Sequence, residues 1–282
     1  MLITSKKDPT YITFKELDTL KNRISSHNFI IEGSLLTGRA INDGLSVQAL
    51  VYTERFVNGT DTDGISGKTI LAKAQTAGIN IYNINEGLLS SITSTRPLPS
   101  VLALCHQPVY SHINEIPRFK HTEGHALIII DRVSNPDNLG MILRTADAAG
   151  IGGIAVLGSE ASVYHKNCIR AARGAMGRLP VLACQSDQAL ISHLKESGFI
   201  IIGTGAQAEC SLYQLGKLPP HVAFVVGNES HGIRNEILAL CDKVINIPMV
   251  PGRDSLSVPI AAGVVTYEWV RQKACQQPQA HQ

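Results

Sequence analysis

Apolar positions fall into a repeating rhythm in the second half of the chain. Five short runs are almost continuously apolar: ALIII (126–130), GIAVL (153–157), FIIIG (199–203), VAFVV (222–226) and VINIP (244–248). Between them apolar residues recur at helical spacing over 139–149, 166–176, 187–197 and 235–241, and a last helix is predicted over 258–273. Strands that are apolar on both faces and alternate with helices predict an α/β fold with a parallel sheet covered on both sides. Ligands of such sheets bind beyond the carboxyl ends of the strands, so chemistry is sought in the segments that follow each run.

The first half reads as a smaller α/β module. FIIEG (29–33) predicts a strand, LLTGRAINDG (35–44) a helix closed by a glycine, and VQALVYT (47–53) a buried strand. A Gly-, Thr- and Asp-rich loop spans 57–68. A short helix (69–77), the strand INIYNI (79–84), a helix (85–91) and the strand VLALC (101–105) complete the unit. Periodicity then lapses through a Pro-containing polar stretch. The predicted organisation is an N-terminal extension (1–27), a first domain (28–106), a linker (107–124), a second domain (125–272) and a disordered, Gln-rich tail (273–282).

Composition narrows the chemistry. Lys and Arg exceed Asp and Glu by only two, so a nucleic-acid surface must be a local patch, not a global basic field. Aromatic residues make up 5%, which argues against a stacking platform for single strands. None of the six cysteines stands at C-x-x-C spacing, and no cluster has metal-ligand spacing, so neither a metal site nor a disulfide framework is expected. No signal-peptide core and no apolar run of about 18 residues is present, which predicts a soluble, cytoplasmic protein without membrane contact.

Three strand ends carry candidate motifs. After 126–130, Asn138, Gly140 and Arg144 form N-x-G-x-x-x-R at the mouth of a helix, where a short loop lets backbone amides approach a ligand. After 222–226 comes GNESHG, a tight turn holding Gly227 and Glu229. After 244–248 comes PMVPGRDSLSVPIA, in which Ser257 suits a helix N-cap and Pro259 its first turn. Taken singly, each is explained by helix capping, a solvated turn or an ordinary amphipathic face. Two other patterns lead nowhere. Gly203–Ala208 fits the G-x-G-x-x-A of a dinucleotide site, with Glu229 about twenty residues on, but the stretch before Gly216 is too short for a crossover helix. Cys105 and His106 are adjacent on a strand and point to opposite faces, so they form no dyad.

Taken together and in this order, NPDNLGMILRTADAAG (135–150), VVGNESHG (225–232) and INIPMVPGRDSLSVPIA (245–261) resemble the motifs of the SpoU (TrmH-like) family of the SPOUT methyltransferase superfamily. FIIEG, LLTGRAINDG and VLALCHQP resemble the L30e-like substrate-binding domain that precedes many of these catalytic domains. The resemblance covers about residues 28–271. It implies a parallel-sheet SPOUT domain with a deep trefoil knot, a homodimer that completes the active site, and S-adenosylmethionine as cofactor. It also implies methylation of a ribose 2′-hydroxyl in RNA, ribosomal more than transfer. Carried over by position, Thr204, Gly227, Ile247, Met249, Ser255 and Leu256 would line the cofactor, and Asn138, Arg144, Glu229 and Ser257 the reaction end.

The third motif departs from the family pattern: Ser257 stands where the family's Asn is usual. A hydroxyl has a shorter reach and fewer donors than a carboxamide. The alternative reading that goes with this change is an RNA-binding assembly factor with weak or lost transfer. A guanidinium keeps its proton in proteins, so the role expected of Arg144 is to hold a flanking phosphate and orient the 2′-hydroxyl. RNA contacts are expected from Arg118, Lys120, Arg132, Lys166, Arg170, Arg173 and Arg178. Two outcomes follow from this reading. Gly227→Val should abolish cofactor binding in a folded protein, and a chain lacking residues 1–110 should remain a folded dimer.

Overall fold

The computed structural model describes residues 1–59, 66–106, 109–116, 119, 125–158, 163–183, 186–253 and 255–276. The chain divides into two compact units. One comprises Met1–Pro108 with Ser162–Arg178, the other Val109–Ala161 with Leu179–Gln282. Arg118 and Lys120, two of the expected RNA contacts, lie outside the described residues.

The first unit opens with β1 (Leu2–Ile3), α1 (Pro9–Glu16) and α2 (Leu20–Ser26). It continues through β2 (Asn28–Glu32), α3 (Ser34–Asn42), β3 (Ser46–Tyr52), α4 (Glu54–Asn58), α5 (Gly67–Thr76), β4 (Asn80–Ile84), α6 (Glu86–Ile92) and β5 (Val101–His106). Its five strands run in the order β1-β4-β3-β5-β2, with β5 antiparallel to both neighbours and the other pairs parallel. The first 27 residues, which the sequence suggests are an extension, are part of this body. β1 pairs with β4, and Ile3, Tyr11, Phe14 and Leu17 are buried in the same cluster as Leu89 and Leu102. α1 forms there because Asp8 accepts from the Thr10 amide at 2.8 Å and Pro9 supplies a preset φ in the first turn.

The second unit holds β6 (Val109–Tyr110), β7 (Ala126–Asp131), α7 (Pro136–Ala148) and β8 (Gly153–Leu157). The chain then passes through α8 (Lys166–Ala172), which clusters with the first unit. It returns as β9 (Val181–Leu182), α9 (Asp187–Glu196), β10 (Ile200–Thr204), β11 (Cys210–Ser211), β12 (Val222–Val226), α10 (Asn235–Leu238), β13 (Lys243–Asn246) and α11 (Val258–Gln276). The sheet order is β11-β13-β10-β12-β7-β8-β9-β6, and every adjacent pair is parallel. β7 and β12 sit at its centre, and every residue of both is buried. That is the physical reason their sequences are unbroken apolar runs. β7 has one exception, its last residue Asp131, which is fully buried.

Several boundaries differ from the sequence reading. The predicted helix 166–176 ends at Ala172, because Arg173 adopts a left-handed φ of 53° and Gly174 one of 97°. The predicted linker contributes β6 to the large sheet and buries Ile113 and Ile116 in its core. The tail expected to be disordered from Lys273 is helical to Gln276.

The placement of Ser162–Arg178 leads to a different expectation for truncation. Tyr164 lies 6.1 Å from Phe29 between ring centroids, α8 packs on β2, Lys166 donates to Ser94 Oγ at 2.7 Å, and Arg178 pairs with Asp43. A chain starting at residue 111 strips these partners away and exposes Tyr164 and Ile169, which are 4% and 5% accessible. It also loses β6. Such a fragment is expected to aggregate or to unfold well below the full chain, with each kcal/mol lost lowering Tm by about 2–4 °C. Scanning calorimetry of fragment and full chain measures this; a soluble fragment with an unchanged Tm would contradict it.

Candidate active site

The site is built on the carboxyl ends of β13, β10, β12 and β7, four adjacent strands. β7 runs into Ser134-Asn135-Pro136, and Asn135 caps α7: its side-chain oxygen accepts from the amides of Asp137 (2.8 Å) and Asn138 (3.2 Å). Pro136 in the first turn has no donor to leave unsatisfied. Leu139, Ile142, Leu143 and Ala146 form the buried face of α7. Asn138 therefore stands in the first turn, and Arg144 on the exposed face.

The loop after β12 folds back on itself. Asn228 and Gly232 exchange two backbone hydrogen bonds, each 2.9 Å, and the Asn228 side-chain Nδ2 donates to Arg132 O at 2.8 Å. This loop projects Glu229 onto the start of α7. Its carboxylate accepts from Asn138 Nδ2 (2.9 Å), from the Ser134 amide and hydroxyl (both 3.2 Å), and from the Asn135 amide (3.3 Å). Burial alone would raise the Glu229 pKa. The Asn138 amide and the backbone donors outweigh it and hold the carboxyl below its ordinary value of 4.5. Glu229 is thus an ionised anchor with its lone pairs occupied, placed where a helix N-terminus favours negative charge.

Gly227 meets a packing requirement of its own beside the role its motif implies. A Cβ placed on it would lie 2.2 Å from both Gly232 C and Ile233 N. The residue is small because the returning backbone crosses it, whatever else lies nearby. Thr204 is half-buried, and its hydroxyl donates to Val225 O at 2.9 Å, tying β10 to β12. Ile247 and Met249 are half-buried after β13, while Ser255, Leu256 and Ser257 are exposed before α11. Ser257 O accepts from the amides of Ile260 and Ala261, both at 3.0 Å, so the residue serves as the helix cap expected of it. α11 packs on α7, with Gly263 facing Thr145.

Of the four expected reaction-end residues, the structure joins Asn138 and Glu229 directly. Arg144 makes no hydrogen bond or ion pair among the described residues, and neither it nor Ser257 bonds to that pair. A cleft of about 480 Å³ opens beside the loop, lined by Arg132, Ser134 and His231 among others. Arg132 adopts a φ of 52°, and its side chain lies over Gly158. Lys166, Arg170, Arg173 and Arg178 belong to the first unit, where Arg178 is engaged with Asp43.

Sequence reasoning passed over Asp131, Asp187 and Arg234. Arg234 donates from Nε to Asp131 Oδ1 (2.7 Å) and from Nη2 to Asp187 Oδ2 (2.6 Å). Burial would lower its pKa, and the two carboxylates reverse that and raise it. The available signal was an acidic residue ending a wholly apolar strand. The discarded patterns stay discarded. β10 is followed by β11 and a single 3-10 turn, Leu212–Gln214, in place of a crossover helix. Burial pushes the Cys105 thiol far up, while His106 Nδ1 contacts Asn28 Oδ1 at 3.0 Å.

Comparison with known proteins extends this picture. Residues 125–267 match the model of the SpoU rRNA Methylase family. The chain is 28% identical over 266 residues to the 23S rRNA (guanosine(2553)-2′-O)-methyltransferase RlmP of Bacillus subtilis, covering 94% of this chain and 97% of that protein. It is 30% identical over 205 residues to the 23S rRNA (guanosine-2′-O-)-methyltransferase RlmB of Yersinia pestis, covering 72% of this chain and 83% of that one. Among solved structures, the AdoMet-bound rRNA methyltransferase of Sinorhizobium meliloti superposes with a TM-score of 0.80 at 27% identity, over 96% of this chain and 97% of its own. The match to the family model, over the three strand-end motifs and the sheet that carries them, places this chain in the SpoU rRNA methylase family.

Proposed function

We propose that this chain transfers a methyl group from S-adenosylmethionine to a ribose 2′-hydroxyl of ribosomal RNA. The observation that carries the reading is the Glu229–Asn138 link at the mouth of α7, which orders a helix whose Arg144 is exposed and has no partner among the described residues. The relatives named above support the substrate class.

The strand ends fit the cofactor. Three adjacent parallel strands stop at Thr204, Val226 and Asn246, and the segment after β13 leaves apolar surface uncovered, with Val250 68% and Leu256 37% exposed. An adenosine moiety covers such surface well. Thr204, Ile247, Met249, Ser255 and Leu256 would hold it. When bound, S-adenosylmethionine supplies an electrophilic methyl carbon with a neutral sulfide as leaving group.

The chain's own residues align and orient. Arg144 grips a phosphate beside the target ribose with its planar fork and sets the direction of the 2′-oxygen. Asn138 and Glu229 hold the helix that presents it. Glu229, ionised and already accepting four hydrogen bonds, is a poor base, so the hydroxyl proton passes to solvent water late in the transfer, as the O–C bond forms. Alignment of this kind supplies on the order of 7–11 kcal/mol at best.

RNA selection is assigned to the first unit, where Lys166, Arg170 and Arg173 are exposed, and to Arg132 beside the cleft. A ribosomal RNA substrate supports a cytoplasmic location as part of the same reading. The homodimer and trefoil knot of the family belong to the same reading. Met141 on α7 and Ile260 and Tyr267 on α11 are 44%, 56% and 49% exposed on two helices that pack together, an apolar surface suited to a second copy. The dimer predicts a mass in light scattering twice that of one chain, and a single chain's mass for Ile260→Asp. A wild-type protein with the mass of one chain would refute it.

The function is tested by mapping 2′-O-methylation across ribosomal RNA from cells with and without the protein. One or a few sites should lose the mark. A map identical in both would overturn the reading.

A further inference from the structure

Arg234 is held by three carboxylates, those of Asp131, Asp187 and Glu236. Its amide donates to Asp131 Oδ2 at 2.8 Å, its Nε to Asp131 Oδ1 at 2.7 Å, its Nη2 to Asp187 at 2.6 Å and its Nη1 to Glu236 at 3.0 Å. Asp131 is wholly buried, and a carboxylate there is tolerable only with such a partner. Asp187 in turn accepts from the Gly158 amide at 3.3 Å. The clamp joins the ends of β7 and β8 to the start of α9 and to the exit of the Gly227–Ile233 loop.

The entrance of that loop is tied to the same place. Asn228 Nδ2 reaches Arg132 O, the residue after Asp131. Both ends of the loop are therefore anchored on one dipeptide at the end of β7, and from its tip Glu229 holds Ser134, Asn135 and Asn138. The chain forms a closed circuit: Asp131 fixes Arg234, the loop fixes Glu229, and Glu229 fixes the first turn of the helix that carries Arg144.

We infer that Arg234 is a positioning residue for methyl transfer, acting through Glu229 on the start of α7. It lines the cleft beside the loop, but its guanidinium is taken up by Asp131, Asp187 and Glu236, so the role inferred for it is to position the loop and not to bind a ligand. The inference rests on the proposed function for its catalytic consequence, while its structural part stands without it. A residue that merely stabilised the fold would lower Tm and leave the competent molecules at full turnover. A positioning residue lowers turnover in folded, cofactor-binding protein, and its loss overlaps that of Glu229.

The test uses the full chain as wild type, Arg234→Met, Arg234→Lys, Glu229→Gln and the Arg234→Met/Glu229→Gln pair. Hydrogen exchange, which needs no activity, should quicken about tenfold or more at the Ser134 and Asn135 amides in Arg234→Met while Ile201–Gly203 in β10 stays protected. With ribosomal RNA stripped of protein as substrate, kcat per cofactor-binding molecule should fall about tenfold or more, with KM for S-adenosylmethionine changed less than about threefold. Arg234→Lys should be intermediate, and the double variant no worse than the poorer single one. Unchanged exchange at Ser134 and Asn135, exchange raised evenly across the sheet, full kcat, or losses that multiply in the double variant would each overturn the inference. If Arg234→Met does not fold, Asp187→Asn must show the same local pattern at smaller size, or the inference fails. A wild type that methylates no ribosomal RNA would refute the proposed function, and the exchange result would still decide the clamp.

Discussion

Gly227→Val will unfold the motif loop, and Gly227→Ala will be enough to show it. The added Cβ would sit 2.2 Å from Gly232 C and Ile233 N and 2.5 Å from Gly232 O. All three are backbone atoms, and that backbone is pinned by the paired hydrogen bonds between Asn228 and Gly232 and by Arg234 two residues on. A flexible side chain could swing aside; this strand of backbone cannot move without breaking its own ladder. Overpacking against yielding neighbours costs about 1–3 kcal/mol, so the cost here should be about 3 kcal/mol or more. Thermal unfolding should show Tm lower by several degrees for Ala, at about 2–4 °C per kcal/mol, and more for Val. Cofactor binding should fall with it. The family resemblance alone leads to another expectation, loss of binding in an otherwise intact protein. Calorimetry and circular dichroism on the same samples separate the two: a normal Tm with binding lost would restore the view of Gly227 as a cofactor wall.

Arg144→Ala should do the opposite, leaving stability alone and removing activity. The side chain is exposed and has no partner among the described residues, so the folded state loses little when it goes. Methyl transfer should drop about 100-fold or more, at least about 2.7 kcal/mol of transition-state stabilisation. Affinity for S-adenosylmethionine should change little. Arg144→Lys should rescue poorly, because an ammonium lacks the two-point planar contact that a phosphate needs. Near-normal turnover in Arg144→Ala would mean that another group orients the ribose. Together the two variants would divide the motifs by what they do: one glycine that the loop's own backbone requires, and one arginine proposed to act on RNA.

The Glu229 anchor also sets a pH expectation. Its folded pKa is depressed, so its contribution is complete above the ordinary carboxylate value and is lost as pH falls through the lower, folded one. The Asn138–Glu229 link should therefore persist from neutrality to below pH 4.5. Any acid limb of activity between pH 5 and 7 must come from another group. A change in Ser134 and Asn135 amide chemical shifts near pH 6 would contradict this.

The second unit was legible because its central strands are buried on both faces. A residue in β7 or β12 has no solvent side, so selection for burial leaves an uninterrupted run that can be read without any neighbour. Helix α7 was legible for a local reason too, since Asn135, Pro136 and the apolar spacing act within one or two turns. The three motifs were therefore found at the right strand ends. The sequence by itself determined the alternation, the parallel sheet and the family. Which motif atoms meet was decided only by tertiary structure, because the contacts that define the site join residues about ninety to a hundred positions apart. Glu229 finds Ser134, Asn135 and Asn138, and Arg234 finds Asp131, by strands pairing side by side, and no local periodicity encodes that. The same holds for the first 27 residues, whose short elements gain stability only by packing on a sheet completed later, and for Ser162–Arg178, whose apolar residues are satisfied by β2 rather than by their neighbours in sequence. Local sequence can specify what an element is; where a side chain's partner stands depends on the path of the chain between them.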